Sequence, residues 1–354
     1  MDIRSTAHAT TARGPQRRVR ARIGLPLAAA GAGIGLASLQ GCAGSVPEPR
    51  APAASTAPAP GTPAPSDAPE SGLPGVPGVP GLPNPLDNVG TAGNTLAVKI
   101  DNVGARAQSI QQGLARADVV YWIQVEGGLS RFLAVYDANH LPALIGPVRS
   151  ARQTDIPLLQ QYGHLDFAYS GAIGGLLPLL ERADVQNVTP SNDPGAFTHD
   201  AVDPAFLDPH QALARFPSVP ARSPGFVFGA APDGGRTLDA MTWHLPSAFI
   251  GVRFDGSTYG VAVDGHPAWS GTATVVVQHV STVPGLFTDF NAGHPDNEVF
   301  TRTTGAGRAE VLRDGRVWDV HWSRPDPAAG TSFTLPGGGA MTFATGPVLV
   351  LLVP

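Results

Sequence analysis

The sequence predicts an α+β fold with a mixed α/β first part and a mainly β second part, preceded by a disordered N-terminal region. Three observations support this prediction. Residues 43–93 are rich in Pro, Ala and Gly and contain few large apolar residues, so they bury too little apolar surface to offset the entropy of ordering them. Strand-like and helix-like runs alternate between about residues 95 and 235. After Met241, short β-rich runs predominate.

The N-terminus has the three-part layout of an export signal. Arginines between Arg13 and Arg22 form a basic region, and an uncharged apolar stretch follows from Ile23 to Leu39. This stretch is too short and too rich in Gly and Ala to predict a transmembrane helix. The signal closes at Cys42, the single cysteine of the chain, which follows a small glycine.

This closing motif resembles the lipobox of bacterial lipoproteins, in which a diacylglycerol is attached to the cysteine before the signal is cleaved. We therefore predict that residues 1–41 are a lipoprotein signal peptide and that Cys42 is the lipidation site. The alternatives are an uncleaved signal anchor or a cysteine buried in an apolar helix. Because two acyl chains suffice for stable anchoring, we expect a protein of the cell membrane, lipid-anchored at its extracytoplasmic face.

The rest of the chain is predicted to be a tether followed by two domains. Residues 42–94 form a stiff Pro-rich tether that extends by about 3 Å per residue, or ~150 Å at most. Residues 95–235 form a mixed α/β domain, and residues 236–354 form a mainly β domain. The predicted helices cover residues 109–117, 154–162 and 174–183. The predicted strands cover residues 96–100, 119–125, 132–136, 143–148, 167–169, 273–280, 308–312, 317–322, 332–335, 341–343 and 348–353. Gly127-Gly128 and Asp314-Gly315 predict hairpin turns.

Charge and cysteine content limit the possible partners and metal sites. The net charge of -5 and the lack of a basic run in the folded part give no electrostatic basis for binding nucleic acid. A single cysteine excludes an intrachain disulfide and a multi-cysteine metal site. No motif of the sequence implies a cofactor.

Several short motifs resemble those of one bacterial family. They are Val98-Lys99-Ile100-Asp101-Asn102, Ala117-Asp118-Val119-Val120-Tyr121, Val125-Glu126-Gly127-Gly128, Gly146-Pro147-Val148-Arg149-Ser150-Ala151-Arg152, and Arg313-Asp314-Gly315-Arg316 with Trp322-Ser323-Arg324. In this order they resemble the YerB-like lipoprotein family, which has an N-terminal and a C-terminal domain of unknown function. The resemblance extends from about residue 96 to the end of the chain. It implies a lipid-anchored envelope protein and a site role for His210, and it supplies no reaction.

Polar side chains gather where predicted strands end, although only 14% of the residues are charged. The candidate ligand-binding residues are Lys99, Asp101, Asn102, Arg106, Gln108, Glu126, Arg131, Arg149, Ser150 and Arg152, to which the resemblance adds His210. Ligands of α/β sheets bind at the carboxyl ends of strands, and arginines near a helix start favour an anion. These residues predict a pocket for a carboxylate- or phosphate-bearing ligand. The alternative is a structural ion-pair network in which Asp101 and Glu126 neutralise the arginines.

Other features have structural explanations beside functional ones. Lys99 is the only lysine, which indicates either a site amine or a specifically paired side chain. Ser170 lies in a glycine-rich turn. The turn indicates either that Ser170 is a nucleophile or that a helix packs tightly on the sheet there. Four of the tryptophans have two alternative roles, stacking on a bound sugar or packing in the core: Trp243, Trp269, Trp318 and Trp322. The acidic and histidine residues His199, Asp200, Asp203, Asp208 and His210 match no metal-ligand spacing, so no metal is predicted.

The sequence leaves three functions open. The first is a non-catalytic lipoprotein that binds a cell-wall polymer or an envelope protein. The second is an enzyme acting on an anionic cell-wall glycan or fragment, with Glu126 or Asp101 as its acid/base. The third, a small-molecule-binding lipoprotein serving a transporter, is disfavoured because two symmetric α/β lobes are not evident. The favoured prediction is a membrane-anchored extracytoplasmic lipoprotein that binds an anionic cell-envelope ligand or a partner protein.

Overall fold

The computed structural model describes residues 95–199, 205–216, 222–291 and 294–354. The predicted signal peptide, Cys42 and the predicted tether lie outside these residues, as do Asp200 and Asp203. Within them the chain is α+β, and strands outnumber helices. This agrees with the broad fold class that the sequence predicts.

Strands and short helices alternate in the first part of the described chain. Its elements are β1 (Thr95–Ile100), α1 (Gly104–Ser109), β2 (Val119–Gln124), β3 (Ser130–Asp137), β4 (Ile145–Val148), α2 (Asp155–Leu159), β5 (Asp166–Ala168), α3 (Leu177–Arg182), β6 (Gln186–Val188), β7 (Phe197–His199), β8 (Ala205–Leu207) and α4 (Pro209–Arg215). Asp208 caps α4, because its carboxylate accepts hydrogen bonds from the backbone N–H groups of His210 and Gln211.

Strands make up the second part of the described chain. They are β9 (Val227–Phe228), β10 (Arg236–Thr237), β11 (Ala240–Leu245), β12 (Ala248–Phe254), β13 (Tyr259–Val263), β14 (His266–Thr272), β15 (Thr274–His279), β16 (Ser281–Asn291), β17 (His294–Arg302), β18 (Gly305–Arg313), β19 (Arg316–Arg324), β20 (Ser332–Thr334), β21 (Thr342–Phe343) and β22 (Val348–Val353). Three groups of strands lie outside the main sheet. They are a four-stranded meander, β11 to β14, the antiparallel hairpin of β16 and β17, which we call the arm, and the short parallel pair of β9 and β21.

Most of the other strands belong to one large sheet with the order β10-β19-β18-β15-β22-β2-β3-β1-β4-β8-β7. The last strand of the chain, β22, pairs in parallel with β2 on one side and with β15 on the other. Strands from both predicted domains therefore share a sheet, a point that the sequence left open. Elsewhere in the sheet, β1 pairs in parallel with β5, and β5 pairs in parallel with β6.

Apolar side chains cover both faces of this sheet at its centre, which is why β1 is buried along its whole length. Leu96 and Val98 point to a core shared with meander residues such as Ile250. Ala97 points to a second core that includes Leu158 of α2. The sheet thus lies between the meander and the helices, as in other domains whose central strands are buried on both sides.

Local structure departs from the predictions at two helices. The helix predicted over 109–117 is wrong: α1 ends at Ser109, and Gln112 instead pairs with Gly146 through two backbone hydrogen bonds. The helix predicted over 174–183 begins later, at Leu177. Both predicted hairpins are confirmed, since β2 pairs with β3 around Gly127-Gly128 and β18 pairs with β19 around Asp314-Gly315.

Candidate functional site

The site is built around the segment 147–151, which passes between the ends of β1 and β5. On one side, the N–H of Arg149 donates to the carbonyl of Lys99 at 2.8 Å. On the other side, the N–H of Ser170 donates to the carbonyl of Arg149 at 3.0 Å. Because β1, β5 and β6 are parallel, their carboxyl ends meet at this edge, where ligands of α/β sheets bind.

Asp101 binds two arginines at this edge. Its Oδ2 accepts a hydrogen bond from Arg149 Nε at 2.7 Å, and its Oδ1 lies 3.3 Å from Arg131 Nε. The Asp101 carboxylate is buried, whereas 47% of the Arg149 side chain is exposed. Asn102 donates from Nδ2 to Ser130 Oγ at 2.8 Å, beside Arg131. One buried carboxylate therefore faces two guanidinium groups, and of the two only Arg149 has a largely exposed side chain.

Glu126 and Arg152 form a second ion pair in the same region. Both guanidinium nitrogens Nε and Nη2 of Arg152 donate to the Glu126 carboxylate, the former at 2.7 Å. Burial alone would raise the pKa of Glu126, but the hydrogen bonds and charge of Arg152 outweigh it and hold that pKa below its usual value. A carboxylate held in this way stays ionised, which does not suit a general acid at neutral pH.

Lys99 and Asp155 form a third pair, which is fully buried. Lys99 Nζ lies 2.6 Å from Asp155 Oδ1, and both side chains have 0% exposure. Burial lowers the pKa of Lys99, and the charge of Asp155 opposes that shift. The second oxygen of Asp155 accepts a hydrogen bond from the N–H of Arg152 at 2.7 Å. The only lysine of the chain is thus enclosed beneath the site and does not reach solvent.

The arm contributes a fourth carboxyl group, Glu298, which sequence reasoning missed. Glu298 Oε1 accepts a hydrogen bond from the N–H of Gln153 at 2.8 Å, while its buried Oε2 has no hydrogen-bond partner among the described residues. Burial raises the pKa of Glu298. Gln153 Oε1 in turn accepts from the N–H of Leu286, and the N–H of Thr301 donates to Thr154 Oγ1 at 2.9 Å. The arm therefore fixes the residues that directly follow Arg152.

The remaining candidates lie outside the paired cluster. Arg106 is exposed on α1, and His210 is exposed on α4. Gln108 donates from Nε2 to the carbonyl of Asn102 and to Asp264 Oδ2, each at 3.1 Å, and so connects the edge to the meander. The carbonyl of Ser150 accepts a hydrogen bond from Arg152. The structure therefore unites most of the predicted residues and leaves Arg106 and His210 apart.

A polar groove of about 610 Å³ begins next to this cluster, at Ser170 and Gly171. It continues along the carboxyl ends of β5 and β6 to Asn192, with Glu181 of α3 on its rim. Tyr169 Oη donates to Asn187 Oδ1 at 3.1 Å within its wall. Its volume lies in the range of small-molecule sites, roughly 300–1,000 Å³. The glycine-rich turn noted in the sequence thus borders a cavity.

The tryptophans pack in the interior. Trp243, Trp318 and Trp322 are buried, and the indole of Trp322 donates to the carbonyl of His279 at 2.9 Å. Trp269 packs edge-to-face on Phe132, with ring centroids 5.3 Å apart. These contacts favour core packing over a sugar-stacking platform.

The described residues contain neither a metal-binding cluster nor a membrane-spanning helix. Among them, no group of three or more His, Cys, Asp or Glu side chains is arranged to hold a metal ion. Within the same part of the chain, no helix combines the length and apolar character needed to cross a membrane.

Comparison with known families agrees with the order of the sequence motifs. Residues 81–223 match the family described as "Protein of unknown function (DUF3048) N-terminal domain", and residues 256–350 match its C-terminal domain. Together these two ranges cover more than half of the chain. The chain belongs to the DUF3048 family.

This DUF3048 chain is similar to a protein of Bacillus subtilis (strain 168) described as "Putative lipoprotein YerB". The two are 37% identical over 79 residues, which are 22% of this chain and 23% of that protein, so the match spans about a quarter of the relative's length. A crystal structure of YerB protein from Bacillus subtilis is similar with a TM-score of 0.58 at 17% identity, covering 74% of this chain and 91% of that chain. At this identity the likeness shows the fold. The resemblance to a YerB-like lipoprotein family, predicted from the motifs, is confirmed.

Proposed function

We propose that this DUF3048 protein is anchored by a lipid on Cys42 at the extracytoplasmic face of the cell membrane and binds an anionic ligand of the cell envelope. The ligand's carboxylate or phosphate binds Arg149. The single observation that carries this proposal is the half-exposed guanidinium of Arg149, held by a buried carboxylate that also binds Arg131. The export signal and the lipoprotein relative support the location.

Arg149 suits anion binding because its position is fixed while its charge remains accessible. Nε is held by Asp101 at 2.7 Å, which orients the guanidinium plane. A guanidinium can donate two parallel hydrogen bonds to a carboxylate or phosphate, an arrangement that lysine does not reproduce. Asp101 is shared with Arg131, so this carboxylate is not devoted to Arg149 alone.

The same geometry favours binding over catalysis by these carboxylates. Asp101 and Glu126, the two candidate acid/base residues, each accept hydrogen bonds from arginine side chains. Lys99, the candidate site amine, is enclosed with Asp155. The pairs involving Lys99, Glu126 and Arg152 therefore support the site from within, and Arg149 remains as the residue that contacts the ligand.

The test uses the full chain in non-ionic detergent and two anionic probes, a soluble muropeptide and a short poly(glycerol phosphate). We expect titration calorimetry to show binding of at least one probe, and Arg149→Gln to weaken it by about tenfold or more, since a charge-assisted hydrogen bond is worth roughly 1.5–3 kcal/mol. Arg253→Gln, at an exposed arginine of the meander, is the matched control and should bind as the wild type does.

Three results would contradict the proposal. They are no heat with either probe, equal losses for Arg149→Gln and Arg253→Gln, and release of new products from the muropeptide by mass spectrometry. The last result would favour the enzyme alternative. Arg149→Lys separates charge from geometry, because it keeps the positive charge and loses the paired donors; it should recover only part of the affinity.

A further inference from the structure

The groove beside Arg149 has the chemistry of a site for uncharged sugars. We infer that it binds neutral, N-acetylated sugar units of a glycan whose acidic group is bound by Arg149. This inference rests on the proposed function and extends it from an anionic group to a ligand class. It starts from the groove of about 610 Å³ at the carboxyl ends of β5 and β6.

Arg149 and the groove are joined directly through the backbone. The N–H of Ser170, which lines the groove, donates to the carbonyl of Arg149 at 3.0 Å. The N–H of Ala151 donates to the carbonyl of Gly171 at 2.9 Å. The segment that carries Arg149 therefore lies directly beside the mouth of the groove, so one extended molecule can occupy both.

The groove walls present hydroxyl and amide groups. Hydroxyl side chains come from Ser170, Thr189 and Ser191, and carboxamides come from Asn187 and Asn192. Each hydroxyl can both donate and accept a hydrogen bond, which matches the hydroxyl groups of a sugar, and carboxamides pair in the same way with an acetamido group.

Hydrogen bonds within the wall hold these groups in place. Asn187 Nδ2 donates to the carbonyl of Leu180 at 2.9 Å, and Asn192 Oδ1 accepts from the N–H of Thr189 at 2.8 Å. A wall organised before the ligand arrives loses less entropy on binding.

The charge of the groove differs from the charge at Arg149. Glu181 stands on its rim and is exposed, and burial together with the negative charge of Glu181 raises the pKa of Tyr169 to about 12. A second anionic group of the ligand would be repelled here. The ligand is thus acidic at one end, next to Arg149, and uncharged along the groove.

A peptide that extended the sheet at β6 is a poorer occupant. The β6 strand is three residues long, from Gln186 to Val188. The carbonyl of Asn187 already accepts hydrogen bonds from Asn192 Nδ2 at 2.8 Å and from Gln186 Nε2 at 3.1 Å. An added peptide strand would have to displace these bonds, whereas a sugar contacts the side chains as they stand.

Two glycines of the same loop provide a matched pair of variants. A Cβ built on Gly171 or on Gly174 has no neighbour within 4 Å, and neither residue has a positive φ. Gly171 lines the groove and Gly174 does not. Gly171→Leu should therefore place a side chain at the groove mouth without strain, and Gly174→Leu should add the same side chain elsewhere.

The probes are a neutral trisaccharide of N-acetylglucosamine and an acidic muropeptide, measured by saturation-transfer NMR and calorimetry with the full chain in detergent. We expect the neutral trisaccharide to bind the wild type weakly, with a Kd of about 1 mM, and the muropeptide to bind at least about tenfold more tightly. Gly171→Leu should abolish saturation transfer to the trisaccharide, while Gly174→Leu and Arg149→Gln should retain it.

The outcomes separate this inference from the proposed function. Arg149-dependent binding of the muropeptide without trisaccharide binding would overturn the inference and leave the function standing. If Gly171→Leu removes trisaccharide binding but the muropeptide binds no more tightly than the trisaccharide, the sugar site in the groove would be supported and the role of Arg149 overturned. The groove assignment would be overturned if Gly171→Leu bound the trisaccharide as the wild type does. It would also be overturned if saturation transfer to the muropeptide were confined to its peptide.

Discussion

The buried carboxyl of Asp166 predicts a stability that falls as the pH rises. Asp166 has 0% exposure on β5, and neither carboxyl oxygen has a hydrogen-bond partner among the described residues. Burial raises its pKa from 3.8 to about 7. An ionised carboxylate in such surroundings is costly, so the folded protein holds the proton that the unfolded chain releases.

The sign follows from which state binds the proton more tightly. The folded pKa lies above the unfolded pKa, so this contribution to stability is complete below about pH 4 and is lost as the pH rises through about 7. Between pH 5 and pH 8 the linkage lowers the free energy of unfolding by about 2.6 kcal/mol. For a folded part of this size, that loss corresponds to a decrease in Tm of roughly 5 °C.

The perturbation is Asp166→Asn, and the assay is urea unfolding of the full chain in detergent, followed by tryptophan fluorescence at pH 5, 6, 7 and 8. The asparagine amide is also buried without partners, so the variant's stability at any one pH is a poor guide. The informative quantity is the difference in free energy of unfolding between pH 5 and pH 8, which should shrink by about 2.6 kcal/mol in Asp166→Asn. Asp319→Asn, at an exposed aspartate of β19, should keep the wild-type difference.

A pH dependence in Asp166→Asn as steep as in the wild type would refute this reasoning. Other titratable groups also contribute to the pH dependence of stability in the wild type and in both variants. His140, for example, bonds to Asp118 at 2.7 Å, and this bond raises the pKa of His140. Because that pair is present in every variant, subtracting the curves isolates Asp166.

The remaining predictions concern the anchor and the buried ion pair. Cys42→Ala should move the protein from the membrane to the soluble fraction on centrifugation, because the lipid is lost; continued membrane association would instead indicate an uncleaved signal anchor. Lys99→Met should lower the free energy of unfolding by about 3–5 kcal/mol, because it leaves Asp155 charged and buried, and the combined Lys99→Met/Asp155→Leu variant should regain part of this loss. A double variant less stable than Lys99→Met in urea unfolding would show that the pair contributes more than the apolar replacement.

Local signals were sufficient where one short segment determines the structure. Asp314-Gly315 predicts the turn between β18 and β19, because both residues adopt positive φ angles there. The runs around 154–162 and 348–353 likewise match α2 and β22. In contrast, the 109–117 helix fails because Gln112 pairs with a strand more than thirty residues away, a contact that no local pattern shows. The strands of the meander were absent from the predicted list, although buried and less buried positions alternate along β12 and β13, the pattern of a half-buried strand.

The candidate site shows the same limit. Strand ends next to polar residues indicated Asp101 and Arg149, and the structure joins them at 2.7 Å. Asp155 was within reach of sequence reasoning, since it begins the helix that follows Arg152. Glu298 was not, because the arm brings it to Gln153 across 145 residues of sequence.

The course of β1 has a practical consequence for how the protein can be held. The chain from Cys42 joins this strand at Thr95, whereas Arg149 bonds to Asp101 just past its far end. Six residues of extended strand put these two points about 20 Å apart. The N-terminal segment therefore joins the sheet at the end opposite the arginine. Capture on a sensor surface through that segment would leave Arg149 free to bind a ligand from solution.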